Sequence, residues 1–327
     1  MNTSEQLKAL QTYFELMSMN GGMRIFQIAQ QTGVFRAMGS GPMDARAVAE
    51  TCGLKEKPTR LLLDGLCGLN AAQKLGAKYA LTPVMGFLSG NYQDLSNRYW
   101  DHLPTYLRTG VPMAKMDDPK ESEKQYQAQV TALDWMMRPS AEVAASMMGI
   151  GDRLKGLSIL DVGCGSGVWS LAFARKDPTS KVTALDWPAV LRIAQASAET
   201  SRVADRFTAL PGNYHDVGLP SDAYDLIIVG NVTHIETPEG NKALFAKLYV
   251  SLKPGGKIVV FDVFGGQENG KLQAALYAIG LSLRTVQGRV YTAEELQSFL
   301  EEVGFKNLAV RLIEITPYTM GMLVADK

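Results

Sequence analysis

The sequence predicts an α/β protein in which a doubly wound, mostly parallel sheet ends in an antiparallel edge hairpin and follows a mostly α-helical domain. In the second half, four short runs rich in β-forming residues alternate with helical patterns, which is typical of parallel strands joined by crossover helices. These runs are "SILDV", "KVTALD", "YDLIIVG" and "GKIVVFDV". Near the end, "KNLAVRLIEI" and "TMGMLVADK" are too close for a parallel crossover, so this last pair must be antiparallel.

Length and composition predict two domains and a small, neutral partner. The chain has 327 residues and is 46% hydrophobic, whereas single cores stop growing at roughly 250–300 residues. Lys plus Arg and Asp plus Glu number 33 each, so no net charge draws the chain to nucleic acid or an anionic membrane. There is no signal-peptide pattern and no apolar run near the roughly 20 residues of a membrane span, which predicts a cytoplasmic protein.

The cysteines also predict a cytoplasmic protein. Cys52, Cys67 and Cys164 are odd in number and lie far apart, which indicates reduced thiols rather than a disulfide framework. No CxxC motif or His/Cys cluster is present, so no metal site is predicted.

An amphipathic helix is predicted at the start of the chain. Ser4 is its expected N-cap, and apolar side chains follow at three- and four-residue steps. These side chains are Leu7, Leu10, Tyr13, Phe14 and Met17.

The next segment predicts a winged-helix unit. Asp44 is the expected cap of a short helix that Gly53 ends, and Pro58 stands where a first-turn proline belongs in the next helix. "AAQKLGAKYALTP" has the pattern of a hairpin, and two short helices followed by such a wing form a winged helix.

The second of these helices indicates an interaction role rather than DNA binding. Only Arg60 and Lys57 supply positive charge there, beside Asp64, which is too little to neutralise phosphates. Its apolar residues are Leu61, Leu62, Leu63 and Leu66. A winged-helix regulator whose α/β domain senses a ligand stays the alternative from another class.

The pattern changes near residues 149–151 from helices to alternating strands and helices. We therefore predict a helical winged-helix domain over 1–115, linker helices over 116–150 and a ligand-binding α/β domain over 151–327.

The stretch "SILDVGCGSGVWS" predicts a ligand site directly after the first strand. Gly163, Gly165 and Gly167 let the backbone approach a ligand where the chain turns from strand to helix. The spacing is GxGxG rather than the dinucleotide GxGxxG, and Asp161 would repel a pyrophosphate, which disfavours a nicotinamide oxidoreductase. A cationic or zwitterionic ligand fits better.

Asp186 ends the second strand, roughly 20 residues after the last glycine, where an acidic side chain can accept both ribose hydroxyls. An adenosine-containing ligand is therefore predicted. The alternative is that the glycines close a tight turn and that Asp186 caps a strand end.

The chain resembles the class I methyltransferases that use S-adenosylmethionine (SAM), and more closely the small-molecule O-methyltransferases with an N-terminal winged-helix dimerisation domain. The motifs are "MDARAVAETCGLKEKPTRLLLDGL", "YWDHLPTYLRTG", "LDVGCGSG", "ALDWPAV", "PGNYHD", "VTHIETPEG" and "LKPGGKIVVFDV". The resemblance implies a Rossmann-like catalytic domain, SAM as cofactor, a small-molecule acceptor and a homodimer formed through the N-terminal domain.

The resemblance also implies a cofactor site. Asp186 would hold the ribose, and Trp187 would stack on the adenine unless it belongs to the core. Asn213 stands where the family has Asp and can still bond the adenine, without a charge. The full predicted set is Asp161, Gly163, Gly165, Gly167, Asp186, Trp187, Asn213, Tyr214 and Asn231.

His234 is the predicted general base, because it matches the histidine of the family's "LHDW" motif, written "THIE" here. Asp262 follows at the family's spacing and ends the fifth strand. Strands one, four and five are expected to be neighbours, so their carboxyl ends bring the glycine turn, His234 and Asp262 together. His102 and His215 have no comparable partner, which favours packing or surface roles.

One departure from the family bears on the proposed base. Its second acidic residue beside the imidazole falls on Val290, which leaves His234 with one carboxylate. C- or N-methylation, or other SAM chemistry, therefore stays open beside O-methylation.

The helix "TALDWMMRPS" is predicted to line an acceptor pocket between the domains, with Leu133, Trp135, Met136 and Met137 as soft apolar surface. A planar acceptor such as a phenol or polyketide fits this surface. The alternative is an apolar core that touches no ligand.

Overall fold

The structure is a computed structural model that describes residues 2–88, 95–266, 271–315 and 318–327. The chain divides into two compact units, residues 1–96 and 97–327. The predicted domain boundary at residue 115 lies inside the second unit. The assignment of residues 1–115 and 116–150 to separate roles stays a prediction.

The first unit is helical with a small antiparallel sheet. Its elements are α1 (Thr3–Gln31), α2 (Val34–Met38), β1 (Met43–Asp44), α3 (Ala45–Cys52), α4 (Glu56–Gly68), β2 (Ala72–Leu75), β3 (Lys78–Leu81) and α5 (Val84–Phe87). The sheet order is β1-β3-β2, and the β2-β3 hairpin is the predicted wing. The Asp44 side chain accepts a bond from the Ala47 amide at 2.8 Å, and Gly53 ends α3 at φ 67°, both as predicted.

The start of α1 corrects one prediction. Asn2, not Ser4, is the N-cap, because its side chain and that of Glu5 form a capping box across the first turn. Ser4 lies within that turn. The predicted helix is otherwise present, and of its residues only Phe26 and Ala29 are buried.

The second unit contains the main sheet. Its helices are α6 (Asn97–Thr109), α7 (Pro119–Met148), α8 (Val168–Lys176), α9 (Pro188–Thr200), α10 (Pro238–Ser251), α11 (Lys271–Ser282) and α12 (Ala293–Val303). Its strands are β4 (Ser158–Val162), β5 (Lys181–Asp186), β6 (Phe207–Pro211), β7 (Tyr224–Gly230), β8 (Leu252–Asp262), β9 (Lys306–Ile315) and β10 (Tyr318–Asp326). Short 3₁₀ turns cover Ala204–Arg206 and Thr233–Ile235.

The sheet has the predicted mostly parallel form. Its order is β6-β5-β4-β7-β8-β10-β9, with the first five strands parallel and β10 antiparallel to both neighbours. β6 was not among the predicted strands. β4, β7 and β8 are adjacent, so the ends of the glycine strand, the His234 strand and the Asp262 strand share one edge of the sheet.

Apolar side chains cover both faces of this sheet, which is typical of buried parallel strands. Ile159 and Ile228 belong to the core cluster on one face, and Leu160 and Ile227 to the cluster on the other. Within the described residues, no helix is long and apolar enough to cross a membrane.

Candidate active site

The glycine turn after β4 is a bare backbone surface. Gly163, Gly165 and Gly167 have φ of 62°, 56° and 77°, a region that side chains disfavour. A Cβ on Gly163 would lie 2.7 Å from Val232 Cγ2, and one on Gly167 would lie 3.2 Å from Leu171 Cδ1. The turn therefore requires glycine both for its backbone angles and for its close neighbours.

Asp186 holds this turn in place. Its carboxylate accepts bonds from the Gly165 amide at 2.8 Å and the Trp187 amide at 2.7 Å. Burial raises the pKa of Asp186 to about 6, although these two bonds lower it, and the nearby Glu123 raises it further. Each oxygen keeps a lone pair for a further donor.

Asp161 lies behind the turn and is buried. One carboxylate oxygen accepts a bond from Ser170 Oγ at 2.5 Å, and the other has no partner in the described part of the chain. Burial raises the pKa of Asp161 to about 7, although the Ser170 bonds lower it. At neutral pH this carboxyl group therefore carries only part of the negative charge that the sequence suggested.

Asn213 and Tyr214 are half-buried on the loop after β6. The Asn213 side-chain oxygen accepts a bond from the His215 amide at 2.9 Å. Tyr214 donates its hydroxyl to Glu236 at 2.6 Å, and its ring lies 3.9 Å from the position a Cβ on Gly163 would take. Tyr214 therefore lies beside the glycine turn.

Asn231 follows β7 with φ 60°, an uncommon value for a residue other than glycine. Its side-chain oxygen accepts a bond from Trp169 Nε1 at 3.3 Å, and its amide donates to the Phe261 carbonyl at 2.7 Å. These bonds hold the chain where β7 leads into the turn that carries His234.

His234 and Asp262 form the predicted pair. His234 Nδ1 lies 2.8 and 3.0 Å from the two Asp262 oxygens, and both side chains are largely buried. The Thr233 hydroxyl at 2.6 Å and the Val263 amide at 2.8 Å also donate to the carboxylate. With Nδ1–H donated to Asp262, Nε2 carries the lone pair that a general base needs.

Two further residues lie next to this pair. The segment with Val290 passes His234, because the Arg289 amide donates to the His234 carbonyl at 2.8 Å. Val290 is half-buried and adds no polar group there. The hydroxyl of Tyr277, on α11, lies 3.4 Å from His234 Nδ1, a neighbour that sequence reasoning missed.

His215 corrects another prediction, because it does have a carboxylate partner. Its Nε2 lies 3.0 Å from Glu236 Oε1, the oxygen that also accepts the Tyr214 hydroxyl. Burial raises the pKa of Glu236, but the bonds from His215 and Tyr214 bring it below its ordinary value. His102 instead bonds the Val111 carbonyl at 3.0 Å, which fits the predicted packing role.

One face of α7 lies against the glycine turn. A Cβ on Gly165 would lie 3.9 Å from the Val130 methyl groups, and Ser166 Oγ donates to Asp134 at 3.2 Å. The Trp187 indole donates to Ser122 Oγ at 3.3 Å. The α7 helix therefore covers the turn, as a wall of the site.

The predicted acceptor residues lie further along α7 in different environments. Leu133 and Met136 are half-buried, and Trp135 is 57% exposed. Met137 packs against the core of the sheet. Tyr126 was missed, although it shares a helical face with Val130 and Leu133 at steps of four and three residues.

These residues fit SAM. The glycine turn offers bare backbone, and Asp186 offers two oxygens with free lone pairs for ribose hydroxyls. Tyr214 offers aromatic surface beside Gly163, and Trp187 directly follows Asp186. No group of three or more His, Cys, Asp or Glu residues in the described part of the chain could hold a metal ion.

Comparisons with known proteins agree with this geometry. A family model described as "O-methyltransferase domain" matches residues 104–306. The 3-hydroxy-5-methyl-1-naphthoate 3-O-methyltransferase of Streptomyces sahachiroi is 24% identical over 294 residues, which covers 84% of each chain. The L-tyrosine C(3)-methyltransferase of Streptomyces lavendulae is 29% identical over 172 residues, 52% of this chain and 47% of that one.

The fold also matches a solved structure over its full length. Human N-acetylserotonin methyltransferase in complex with SAM superposes with a TM-score of 0.73 at 22% identity, covering 100% of this chain and 99% of that one. The family model alone spans more than half of the chain. The chain therefore belongs to the O-methyltransferase family, and it is a SAM-dependent O-methyltransferase.

Proposed function

We propose that this O-methyltransferase acts on a hydroxyl group of a small aromatic or polyketide-like acceptor, with His234 as general base oriented by Asp262. The observation that carries the proposal is the bond between His234 Nδ1 and the buried Asp262 carboxylate, at 2.8 Å. It leaves Nε2 able to take a proton.

The cofactor supplies a methyl group on a sulfonium. An acceptor oxygen becomes a strong nucleophile only as its proton leaves, and His234 Nε2 takes that proton. Asp262 then stabilises the imidazolium, as a carboxylate does in catalytic triads. Thr233 and the Val263 amide keep the carboxylate fixed while the charge on the ring changes.

The geometry of the turn supports the proposed cofactor residues. Asp186 accepts the ribose hydroxyls, while Trp187 and Tyr214 contact the adenine. Asn213 bonds the adenine edge through its amide group. The glycines, with Asp161 behind them, would hold the methionine portion, and Asn231 would close the side next to β7.

Two observations support the proposed acceptor class: the apolar residues of α7 and the substrate in the name of a relative. Leu133, Trp135, Met136 and Met137 offer soft apolar surface for a planar ring. The printed name of the Streptomyces sahachiroi relative gives a naphthoate as its substrate, a planar aromatic. We extend an aromatic acceptor to this chain on those two grounds.

Ring C-methylation is a second candidate reaction for this O-methyltransferase. Val290 leaves His234 with one carboxylate, and a relative with 29% identity carries the name L-tyrosine C(3)-methyltransferase. Both reactions need a deprotonated phenol, since a phenolate is the nucleophile at oxygen and activates the ring carbons. The base assignment is therefore the same for both, and the product decides between them.

The test is transfer of an isotopically labelled methyl group from SAM to a panel of phenols, naphthols and polyketide phenols. We expect labelled methyl ethers from wild type and a large loss in His234→Ala. Nuclear magnetic resonance of the product distinguishes an ether from a ring methyl group. A ring-methylated product favours the second candidate, and an undiminished His234→Ala removes the base assignment.

We also propose that the N-terminal unit forms a homodimer. On α1, Leu7, Leu10, Tyr13, Phe14 and Met17 are 46 to 63% exposed, an apolar surface larger than a monomer usually shows. On α4, Arg60 pairs with Glu56 and Asp64 with Lys74, which leaves little free charge for DNA. A second copy of the chain is the proposed cover.

Light scattering on a sizing column tests the dimer. Leu10→Lys with Phe14→Lys should give monomer or aggregate. Thr12→Lys is the control, since Thr12 lies one turn from Lys8 on a face that already carries charge. A dimer that persists in the double variant contradicts the proposed interface. Deletion of the first 20 residues should act in the same way, because the buried residues of α1 lie beyond that point.

We propose a cytoplasmic location because the cysteines form no disulfide bond in the described residues. Cys52, Cys67 and Cys164 are all free thiols, as expected in a reducing compartment. Alkylation under native and denaturing conditions, without reductant, should label three thiols in protein from the cytosolic fraction.

A further inference from the structure

The short turn that carries His234 is held at both ends by buried side chains. Before His234, Asn241 Nδ2 donates to the Thr233 carbonyl at 3.0 Å. After it, the Tyr291 hydroxyl donates to the Glu236 carbonyl at 2.7 Å. Both bonds go to main-chain oxygens, so they fix the backbone from which the imidazole extends.

Asn241 occupies a position in the buried row of α10 that the helical pattern would give to an apolar residue. The row continues with Leu244, Phe245 and Leu248, and Asn241 is fully buried among them. Its Oδ1 atom is buried and has no hydrogen-bond partner in the described part of the chain. A buried carbonyl without a partner destabilises the folded state. What the amide contributes instead is the Nδ2 bond to the turn of His234.

The residue that Asn241 holds also contacts the carboxylate of the pair. Thr233 Oγ1 donates to Asp262 at 2.6 Å, while the carbonyl of the same residue accepts the Asn241 bond. A shift of Thr233 would therefore move both the imidazole and a donor to its partner. The Thr233 carbonyl also accepts the Glu236 amide at 3.3 Å. Loss of Asn241 would thus free this carbonyl to move without leaving it unpaired.

Tyr291 joins the two halves of the catalytic pair. Its hydroxyl bonds the chain just after His234, and its own carbonyl accepts the Gly265 amide at 2.8 Å, just after Asp262. The side chain is buried, and its ring packs edge-to-face on Phe299 with 5.8 Å between the centroids. A fixed phenol therefore bridges the turn of His234 and the end of β8.

We propose that Asn241 and Tyr291 are positioning residues for methyl transfer, which act through His234 by fixing the backbone of its turn. The proposal rests on the base role proposed above for His234. A base must lie within hydrogen-bond reach of the proton that it takes, and a displacement of about 1 Å can lower a rate roughly 10²-fold. Loss of either donor should therefore slow proton removal and leave the KM for SAM unchanged.

The test compares two acceptors that differ in whether a proton must be removed. 1-Naphthol is protonated at neutral pH, whereas 4-nitro-1-naphthol is already ionised. In single-turnover assays, Asn241→Leu and Tyr291→Phe should lower the rate with 1-naphthol about tenfold or more, and the rate with the nitro compound less than about twofold. A general loss of structure would lower both rates by the same factor.

A stability measurement separates positioning from a merely structural role. Asn241→Leu keeps the branched shape of the side chain and removes the unpartnered carbonyl, so its midpoint of urea unfolding should equal or exceed that of wild type while its rate falls. If this variant does not fold, Tyr291→Phe carries the test. Tyr249→Phe is the matched control, since it removes a phenol hydroxyl from α10 where the ring packs on Phe305, and it should keep both rates.

Two results would overturn the proposal: wild-type rates with 1-naphthol in both variants, or an equal fall of the two rates in both variants. Failure of the proposed function looks different, because His234→Ala would then keep its rate with 1-naphthol.

If wild type methylates neither naphthol, the proposed acceptor class fails, and nuclear magnetic resonance of ¹⁵N-labelled histidine decides the positioning role. The chain has three histidines, so His234→Ala identifies the ring signals of His234. These signals should shift in Asn241→Leu and in Tyr291→Phe but not in Tyr249→Phe. Unchanged signals in the first two variants would contradict the proposal.

Discussion

His234 and His215 each lie against a carboxylate, but the two carboxylates are held in different ways. Asp262 is 3% exposed and receives four donors, from Thr233, Val263 and both the amide and the ring of His234. Glu236 is 16% exposed and shares one oxygen between His215 and Tyr214. His215 itself is 33% exposed, against 12% for His234.

The difference shows how a carboxylate can be held firmly enough to orient an imidazole, as the role proposed for His234 requires. Asp262 ends a central strand and is fixed by backbone and hydroxyl donors, so it can fix a ring in turn. Glu236 lies in a loop and serves to hold Tyr214 beside the glycine turn. Contact between His and acid is common to both pairs, and a hydroxyl group donates to each acid. Of the two acids, Asp262 is the one that also receives bonds from backbone amides in the described part of the chain.

The largest expected effect is on the rate of methyl transfer, and it distinguishes His234 from His215. His234→Ala should lower the single-turnover rate of methyl transfer by roughly 10²–10⁴, the usual contribution of a general base. His215→Ala should change that rate no more than a few-fold. The measurement is rapid-quench transfer at saturating cofactor. If His234→Ala kept more than about a tenth of the wild-type rate from pH 6 to 9, proximity and orientation would be the catalyst.

Substitutions of the two carboxylates, Asp262 and Glu236, should differ almost as much in their effect on turnover. Asp262→Asn should reduce turnover nearly as far as His234→Ala, because Val290 offers no second carboxylate to fix the tautomer of the ring. Glu236→Gln is the matched control and should leave turnover close to wild type. Affinity for S-adenosylhomocysteine should be unchanged in Asp262→Asn. A mild Asp262→Asn would mean that another group, such as Tyr277, orients His234.

Asp186 extends the comparison, because the role proposed for this carboxylate is to bind the cofactor and not to orient a base. Asp186→Ala should weaken S-adenosylhomocysteine binding by about 1–3 kcal/mol, the cost of a lost buried hydrogen-bond partner. Affinity should also decline below pH 6, because the pKa of Asp186 is about 6 and its protonated form accepts one bond fewer.

Calorimetry from pH 5 to 8 measures both effects of Asp186. Asp216→Ala, which removes an exposed acid after Tyr214, is the control. Unchanged affinity in a folded Asp186→Ala would remove this residue from the cofactor site.

The smallest expected effect concerns the stability of the Glu236 pair. The pKa of Glu236 is lowered in the folded state, so the folded state binds fewer protons than the unfolded state. The stabilisation present at neutral pH is therefore lost as the pH falls through the folded-state pKa of Glu236. Glu236→Gln should cost about 1 kcal/mol in the free energy of unfolding at pH 7 and less at pH 4. Urea unfolding at both values measures this, with the exposed Glu239→Gln as control. An equal cost at both values would contradict the role of the charge.

Much of this architecture could be predicted because it follows from local pattern. The glycine turn requires glycine at each positive φ, and "SILDV" and "YDLIIVG" are apolar on both faces, as buried parallel strands must be. The order of β4, β7 and β8 then brings His234 and Asp262 together from distant positions. β6 was missed because its residues are mostly exposed and its "FTALP" run is short.

Sequence reasoning missed several residues near the site for a different reason. Tyr277 carries no motif, and it comes close to His234 only through the packing of α11. Glu236 is part of the "THIE" motif, but its contacts with Tyr214 and His215 arise only in the folded chain. Tyr126 did leave a signal, since it continues the face of Val130 and Leu133 toward the start of α7. The Asn2 cap was missed because both Asn2 and Ser4 can cap a helix, and the capping box with Glu5 favours Asn2.

Asp186 supports the glycine turn and is also the proposed ribose contact, and this double role affects how the cofactor site can be engineered. The carboxylate proposed to bind the ribose also accepts the bond from the Gly165 amide, so in this proposal cofactor binding and the shape of the turn depend on one side chain. A designer who replaces Asp186 to accept an altered ribose would also loosen the turn. The substitutions must therefore be made in order, with a new acceptor for the Gly165 amide introduced before the ribose contact is changed.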